Sequence, residues 1–191
     1  MAIEKYEVFF EKYGNGKKHM SIDDTSLKKY KESLPDDIYS LLEEEGISSY
    51  MDNFLWTLNP DDYIKWLNDW VQLDVKCIPF ARTALGDVLF FKDNIISVLN
   101  SNKGIISYVI HRGDWFFNKY LSNDEYLNKK FNKHLYNQLE NTKILKSDEC
   151  FGFEPILSLG GDEKSENLKK VKLQEYLYLL SQVDGDLVIE Y

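Results

Sequence analysis

The side chains best suited to metal binding or nucleophilic catalysis are few and widely separated in this sequence. The three histidines are His19, His111 and His134, and none stands at the spacing from another ligand that zinc sites show. Cys77 and Cys150 are too few for a disulfide scaffold or a zinc site, and we interpret them as free, buried thiols. We therefore expect neither a metal nor a cofactor.

Acid–base chemistry or small-ligand binding would require Glu154, Arg82 and His111 to share a pocket. Glu154 is a lone acid among apolar residues in FGFEP, an environment that can raise a carboxyl pKa. A structural role is commoner for each group. Glu154 can be held by backbone N–H groups, Arg82 can pair with a nearby acid, and HRGD (111–114) can be a turn in which Asp114 caps the next helix. A small enzyme or ligand-binding regulator with this pocket is therefore the alternative interpretation.

Familiar catalytic signatures are absent from the sequence, which has no G-x-S-x-G elbow, P-loop or dinucleotide fingerprint. GGDEKSEN (160–167) has two glycines before an expected helix, but Asp162 and Glu163 would repel a phosphate. A turn that Ser165 caps into a helix is the better interpretation. The ARTALGD run predicts a tight turn between two strands, with Gly86 at positive φ. We predict a protein that is not an enzyme.

Negative charge is concentrated in one segment of the chain. The net charge is −9, and the segment from Glu32 to Val75 holds eleven acids and a single base, Lys65, a difference of −10. The remainder is nearly neutral. A nucleic-acid binder needs clustered lysine and arginine, so direct nucleic-acid binding is not expected. An acidic segment favours a basic partner.

Helix electrostatics divides the acids of this segment into two groups. Four acids lie at expected helix starts, where the helix dipole favours negative charge, namely Asp36, Asp37, Asp61 and Asp62. Asp61 can also pair with Lys65 one turn later. These acids have a sufficient structural reason to be present.

The second group lacks such a reason. Three glutamates crowd a helix end just before Gly46, where the dipole is unfavourable and we expect no neighbouring base to offset them. One further acid projects from the polar face opposite Trp66 and Trp70. The predicted partner-binding residues are Glu43, Glu44, Glu45 and, as a weaker candidate, Asp69. A solvated helix end is the alternative for the three glutamates.

Hydrophobic periodicity predicts the elements that position these residues. Asn59 and Pro60 favour a helix start, and Gly46 favours a helix end. Residues 14–24 are expected to form a loop. Helices are expected over 2–13, 35–46, 60–71, 114–121, from residue 123 onward and over 172–183. Strands are expected over 53–58, 75–84, 87–93, 95–100, 104–112, in FGFEPILSLGG and in GDLVIEY at the end of the sequence.

The order of these elements predicts an α+β fold. A helical N-terminal part packs on an antiparallel β-meander with C-terminal helices, and we expect the helices on one face of the sheet. The expected domains are residues 1–74, helical and acidic, and residues 75–191, rich in β-structure.

Several motifs resemble those of the GAD-like family of bacterial immunity proteins. The resemblance covers about residues 30–183 and rests on LPDDIYSLLEEEG, FLWTLNPDDYIKWLNDWV, PFARTALGDVLFF, FGFEPILSLGG and ENLKKVKLQEYLYLL. Its motifs are a Trp-x-x-Asn-Pro segment at residues 56–60, an ARTA-x-GD hairpin and a GF-x-P-x-L-x-LGG turn. The layout of Pro35, Gly46 and Trp56 is also similar to the SUKH immunity superfamily, which is the structural alternative.

The resemblance implies a non-catalytic inhibitor of a secreted toxin, since the family's members are partners of type VI secretion DNase toxins. It implies binding of a cognate toxin in the cytosol of the producing cell and brings no catalytic residue with it. The N-terminal MAIEKYEVFFEKYGNGKK lacks the basic start and apolar run of a signal peptide, and no apolar stretch reaches about 18 residues, so we expect no membrane association. The role of residues 1–30 stays open.

Overall fold

An eight-stranded sheet forms the centre of the protein. The computed structural model describes residues 2–139, 143–183, 185 and 187–190. The strands are β1 (Lys17–Met20), β2 (Ile47–Tyr50), β3 (Leu55–Thr57), β4 (Ile78–Thr83), β5 (Val88–Lys92), β6 (Ile95–Asn100), β7 (Ile105–Ile110), β8 (Glu149–Phe153), β9 (Leu168–Lys172) and β10 (Val188–Glu190). The large sheet has the order β1-β2-β3-β4-β5-β6-β7-β10, and β8 and β9 form a separate pair.

Helices surround this sheet. They are α1 (Ala2–Lys5), α2 (Glu7–Tyr13), α3 (Asp24–Lys28), α4 (Asp36–Glu45), α5 (Pro60–Val71), α6 (Gly113–Trp115), α7 (Asp124–Phe131), α8 (Lys133–Asn137) and α9 (Leu173–Val183). A π-helical segment, Phe116–Leu121, continues α6, and short 3-10 turns span Leu157–Leu159 and Ser165–Asn167. All neighbouring strands of the large sheet are antiparallel except β10, which runs parallel to β7. The predicted α+β class is confirmed.

The helix boundaries of α4 and α5 follow from local chemistry. The side chain of Asn59 accepts a hydrogen bond from the backbone N–H of Asp61 (3.3 Å), and Pro60 occupies the first turn of α5. Gly46 ends α4 at φ 62°, and a Cβ there would collide with the carbonyl oxygen of Met20. The predicted caps of both helices are confirmed.

The sheet is covered by apolar packing on both faces. Along β5, Leu89 and Phe91 belong to one buried cluster, whereas Val88 and Phe90 belong to another. Successive residues of a strand point to opposite faces, so the two clusters lie on opposite sides of the sheet. The first cluster includes buried residues of α2, α4, α7 and α8, and the second includes those of α5 and α9. The expectation of helices on one face is therefore wrong.

Three local predictions differ from the structure. The loop expected over 14–24 contains β1, an edge strand that pairs with β2 although all four of its residues are exposed. Such a strand is stabilised by backbone hydrogen bonds to its neighbour, so the pattern of apolar residues in the sequence does not predict it. The helix expected after Ser165 is a 3-10 turn leading into β9, which pairs with β8. The first helix is interrupted at Tyr6, which has φ −111° and ψ 34°.

The large sheet runs through the predicted division at residue 74. Strand β3 precedes that residue and β4 follows it, and the two are hydrogen-bonded neighbours. The proposed domains, 1–74 and 75–191, thus share one sheet, and the division between them stays a prediction.

Candidate functional site

The three glutamates predicted to bind a partner lie at the C-terminal end of α4. Glu43 and Glu44 are exposed, and Glu45 is half-buried. Lys18, on β1, donates a hydrogen bond from Nζ to the main-chain oxygen of Glu44 (3.0 Å). A cation therefore meets the negative end of the α4 dipole, and the expectation that no base lies near these acids is wrong. The pairing of β1 with β2 brings Lys18 across 26 residues of sequence to this position.

Asp69 lies on the exposed side of α5 and forms an ion pair with Lys65 one turn earlier. Their side chains are 63% and 86% exposed, so solvent screens the pair and its contribution to stability is small. The expected pairing of Lys65 with Asp61 is wrong. Lys65 pairs instead with Asp69, which lies four residues after it, whereas Asp61 lies four residues before it.

Asp61 is instead bound by α3 and the residues that follow it. Lys29 forms an ion pair with its carboxylate at 2.8 Å, and the hydroxyls of Ser26 and Tyr30 donate to it. These hydrogen bonds, that of Lys29 first, lower the pKa of Asp61 to about 2. Asp61 therefore has a structural role, as the sequence indicated, although with a different partner.

The structure does not place all four predicted partner-binding residues on one surface. The apolar side of α4 packs into the first buried cluster, with Ile38, Leu41 and Leu42. The apolar side of α5, with Leu67 and Trp70, packs into the second. Because the clusters lie on opposite faces of the sheet, the glutamates of α4 and Asp69 of α5 belong to separate surfaces.

Asp69 borders a groove of about 800 Å³ between α5 and α9. The indole N–H of Trp66 donates to the carbonyl oxygen of Leu177 (3.1 Å) and joins the two helices. Trp70 and Tyr178 also line the groove, and Tyr178 is 62% exposed. The sequence predicted the aromatic stripe of α5 as core and gave no sign of an open groove, because the groove requires α9, about a hundred residues later.

Arg82 is buried and does not form the expected ion pair. Its guanidinium stacks on Trp56 at 4.6 Å from the ring centroid and donates to the carbonyl oxygens of Thr83 (3.3 Å) and Ser147 (3.2 Å). Within the described part of the chain no carboxylate forms a salt bridge with it. Burial lowers the pKa of Arg82 to about 10.

The pocket suggested for a small enzyme or regulator is not assembled. Arg82 lines a cavity of about 380 Å³ whose lining includes neither Glu154 nor His111. Glu154 is exposed and not enclosed by apolar residues. His111 is exposed too, and its Nδ1 hydrogen-bonds with the carbonyl oxygen of Asn94 (3.0 Å). The structure does not bring these three residues into a common site.

The ARTALGD run forms a buried turn between β4 and β5. Gly86 adopts φ 87°, as predicted. The hydroxyl of Thr83 donates to Oδ2 of Asp87 (2.8 Å) and accepts from the backbone N–H of the same residue (3.1 Å). Ser101 donates from its hydroxyl to the carbonyl oxygen of Gly86 (2.8 Å). These bonds give the turn a structural role.

A chain of hydrogen bonds ties this turn to the C-terminal part of the protein. Asn102 donates to the carbonyl oxygen of Leu85 (2.8 Å) and accepts from the hydroxyl of Tyr176 (2.6 Å). The same hydroxyl accepts from the backbone N–H of Phe153 (2.9 Å). The role of Tyr176 in this network was not predicted, because a tyrosine on the apolar side of a helix is expected to be an ordinary core residue.

Burial raises the pKa of Asp87 to about 7. In an unfolded chain the value is about 3.9, so Asp87 stabilises the fold most below that pH, and its contribution is lost as the pH rises through about 7. We expect the free energy of unfolding of wild type, minus that of Asp87→Asn, to fall by about 1.4 kcal/mol for each pH unit between these limits. Urea unfolding at several pH values from 4.5 to 8 measures this difference. Parallel pH curves for the two proteins would contradict it.

The HRGD run lies at the start of α6, although Asp114 does not cap that helix. It lies inside α6 and binds Arg112 through two hydrogen bonds of 3.0 and 2.5 Å. Gly113 leaves no room for a side chain, because a Cβ would collide with the carboxylate of Asp37. Close packing accounts for this run.

The thiols are both buried and free. Burial raises the pKa of Cys77 to about 11 and that of Cys150 to about 12, so neither thiol is an activated nucleophile. Among the residues described, no group of three or more His, Cys, Asp or Glu side chains is arranged to hold a metal ion.

Two family models match the chain. The GAD-like domain model matches residues 4–103, and the model "T6SS immunity protein Tdi1, C-terminal" matches residues 113–184. Among curated proteins, none matches the sequence at a significant level.

The chain shares its fold with a solved structure. The crystal structure of Atu4351 from Agrobacterium tumefaciens superposes with a TM-score of 0.79 over 96% of this chain and 91% of that chain, at 15% sequence identity. In the described part of the present chain, no helix combines the length and the apolar character needed to cross a bilayer.

Proposed function

We propose that this chain, which belongs to the GAD-like domain family, neutralises a secreted nuclease toxin by binding it through acidic surfaces. The match of residues 113–184 to the C-terminal part of a type VI secretion immunity protein carries the immunity assignment. An immunity protein protects the producing cell by binding a toxin that its own secretion system delivers. The specific partner proposed here is a basic nuclease.

The charge of the chain supports a nuclease as the target. A nuclease attracts phosphate, so its cleft is basic, and an acidic protein surface can compete for that cleft. Glu43 and Glu44 present exposed carboxylates at the end of α4. Complementary charge also speeds association, which protects the cell before the toxin cuts. The partner-binding residues we propose remain Glu43, Glu44, Glu45 and Asp69, on two surfaces.

We place this binding in the cytosol, where nucleic acid is exposed to the toxin. The chain acts on the toxin and does not itself bind nucleic acid or a membrane. We expect the gene of this chain to lie beside that of its toxin, and co-purification with the product of the neighbouring gene tests the proposal. We expect a complex that forms more slowly as salt rises, and no complex at low salt would contradict the proposed function.

The isolated protein is expected to have no hydrolase activity, because Glu154, Arg82 and His111 do not meet and both thiols are buried. Incubation with DNA, RNA and ester substrates measures this. A reproducible turnover that Glu154→Ala abolishes would contradict the prediction and restore the enzyme interpretation.

A further inference from the structure

We propose that the groove between α5 and α9 holds an arginine-bearing segment of the toxin. This inference rests on the proposed function and gives the surface around Asp69 a specific ligand. The groove measures about 800 Å³, roughly twice the volume of the cavity beside Arg82.

Aromatic side chains line the groove. The rings of Trp66 and Trp70 lie 5.4 Å apart between centroids, at 60° to each other. Trp66 is half-buried, and Tyr178 on α9 is 62% exposed. Tryptophan and tyrosine are enriched among the residues that contribute most to binding at protein interfaces, because their large rings bury apolar area at little entropic cost. Tyr178 lines the same groove as the two tryptophans and is the most exposed of the three rings, so it is suited to anchor a partner.

Carboxylates form the border of this aromatic surface. Asp62, Asp69 and Glu175 are exposed and line the groove, and among the described residues of its lining the single base is Lys65, which pairs with Asp69. The charged lining thus has a net charge of −2, three acids against one base. A positively charged partner residue would meet both an aromatic face and an acidic border.

Arginine fits the aromatic lining and the acidic border of the groove better than lysine does. A guanidinium is planar, stacks on an indole or phenol ring and binds a carboxylate through two hydrogen bonds. A lysine ammonium supplies the charge without the planar fork. The chemistry of the groove therefore selects arginine, which basic nuclease surfaces carry for phosphate binding.

The two halves of the chain form the groove together. Helix α5 lies within the residues matched by the GAD-like model, and α9 lies within those matched by the immunity-protein model. The hydrogen bond from Trp66 to the carbonyl oxygen of Leu177 links the two helices directly. This site therefore requires both parts of the protein.

Biosensor kinetics with the neighbouring gene's toxin, in a catalytically inactive form, test the proposal. Tyr178→Ala is expected to raise the dissociation rate about tenfold, the effect of losing roughly 1.4 kcal/mol of binding energy. Asp69→Lys combined with Glu175→Lys is expected to slow association and speed dissociation. These residues are exposed, so the melting temperature should change little.

Matched controls lie outside the groove. Leu159→Ala removes a side chain that is 65% exposed, and Asp162→Lys with Glu166→Lys reverses two exposed charges, the same change in net charge as in the groove variant. Both should bind the toxin with rates within about twofold of wild type. If the groove variants also keep wild-type rates while wild type binds the toxin, the groove proposal is wrong and the proposed function stands. If wild type does not bind the toxin, both are wrong.

Two further measurements test the choice of occupant. Tetra-arginine and tetra-lysine peptides have equal charge, and tetra-arginine is expected to quench the tryptophan fluorescence of wild type more strongly. Equal quenching, or quenching that persists in Asp69→Lys with Glu175→Lys, would overturn the arginine assignment. Sedimentation of the chain alone tests the other occupant. A dimer that Tyr178→Ala converts to a monomer would assign the groove to a second copy of the chain.

Discussion

Replacement of Gly86 by valine is expected to lower the free energy of unfolding by about 1–3 kcal/mol, the cost of placing a non-glycine residue in the left-handed region. Gly86 has φ 87°, and Val is β-branched and tolerates that backbone poorly. A Cβ alone would lie 3.8 Å from the side chains of Tyr176 and Leu177, an ordinary contact, whereas the two γ-methyl groups of valine extend further into this buried site. Denaturant unfolding of Gly86→Val measures the effect.

Gly160→Val is the matched control. Gly160 has nearly the same φ, 89°, but it is exposed and a Cβ there would have no neighbour within 4 Å. Its turn can relax, whereas the Gly86 turn is held by Ser101, Asn102 and the rest of the buried network. We expect a smaller loss of stability for the control. An unchanged unfolding midpoint for Gly86→Val, together with lost toxin binding, would mean that this turn is a functional motif.

Reversal of charge at Glu43 and Glu44, by Glu43→Lys with Glu44→Lys, is expected to slow toxin association by about tenfold at low salt. The protection that the protein gives should fall with it. Both side chains are exposed at a helix end, so the free energy of unfolding should change by no more than about 0.5 kcal/mol. The association rate of wild type should fall steeply as salt rises, and that of the variant should fall less. Stopped-flow or biosensor kinetics at several salt concentrations measures both slopes.

A control of equal charge separates position from overall charge. Glu7→Lys with Glu11→Lys makes the same change in net charge on exposed residues of α2, outside the acidic segment. It is expected to slow association less than the α4 variant. Equal rates and equal salt slopes for wild type and the α4 variant would place the binding surface elsewhere.

The parts of the fold that local chemistry determines were predictable from the sequence. Helix α5 follows from its Asn59 cap, Pro60 and an apolar stripe, and α4 ends at Gly46, which has the required positive φ. The strands β4 to β7 follow from short apolar runs between turn residues. Strand β1 was not predictable, since its four exposed residues form a strand only through pairing with β2.

Side-chain partners were harder to predict because several candidates satisfy the same spacing. Asp61 and Asp69 both lie four residues from Lys65, and sequence spacing cannot choose between them. Lys29 and Tyr30, which follow α3, both donate hydrogen bonds to the carboxylate of Asp61. Lys65 pairs with Asp69 instead. The contact of Lys18 with the end of α4 likewise depends on strand pairing, and so it was missed.

Prediction of the candidate binding surfaces was limited in the same way, by contacts between elements that are distant in sequence. The exposed glutamates of α4 could be identified from their position at a helix end. The groove beside Asp69 could not, since its walls come from helices about a hundred residues apart in sequence. Family resemblance predicted the class of the protein, and the matches over 4–103 and 113–184 confirm it.

Titration of the neighbouring gene's toxin with the purified chain tests the central claim most directly. Cleavage of plasmid DNA by the active toxin is measured as the chain is added, with Glu43→Lys/Glu44→Lys titrated in parallel. We expect cleavage to fall in proportion to the chain added and to stop when the toxin is saturated, with more of the variant required. Undiminished cleavage of DNA in the presence of excess wild-type chain would contradict the claim that this protein neutralises a nuclease toxin.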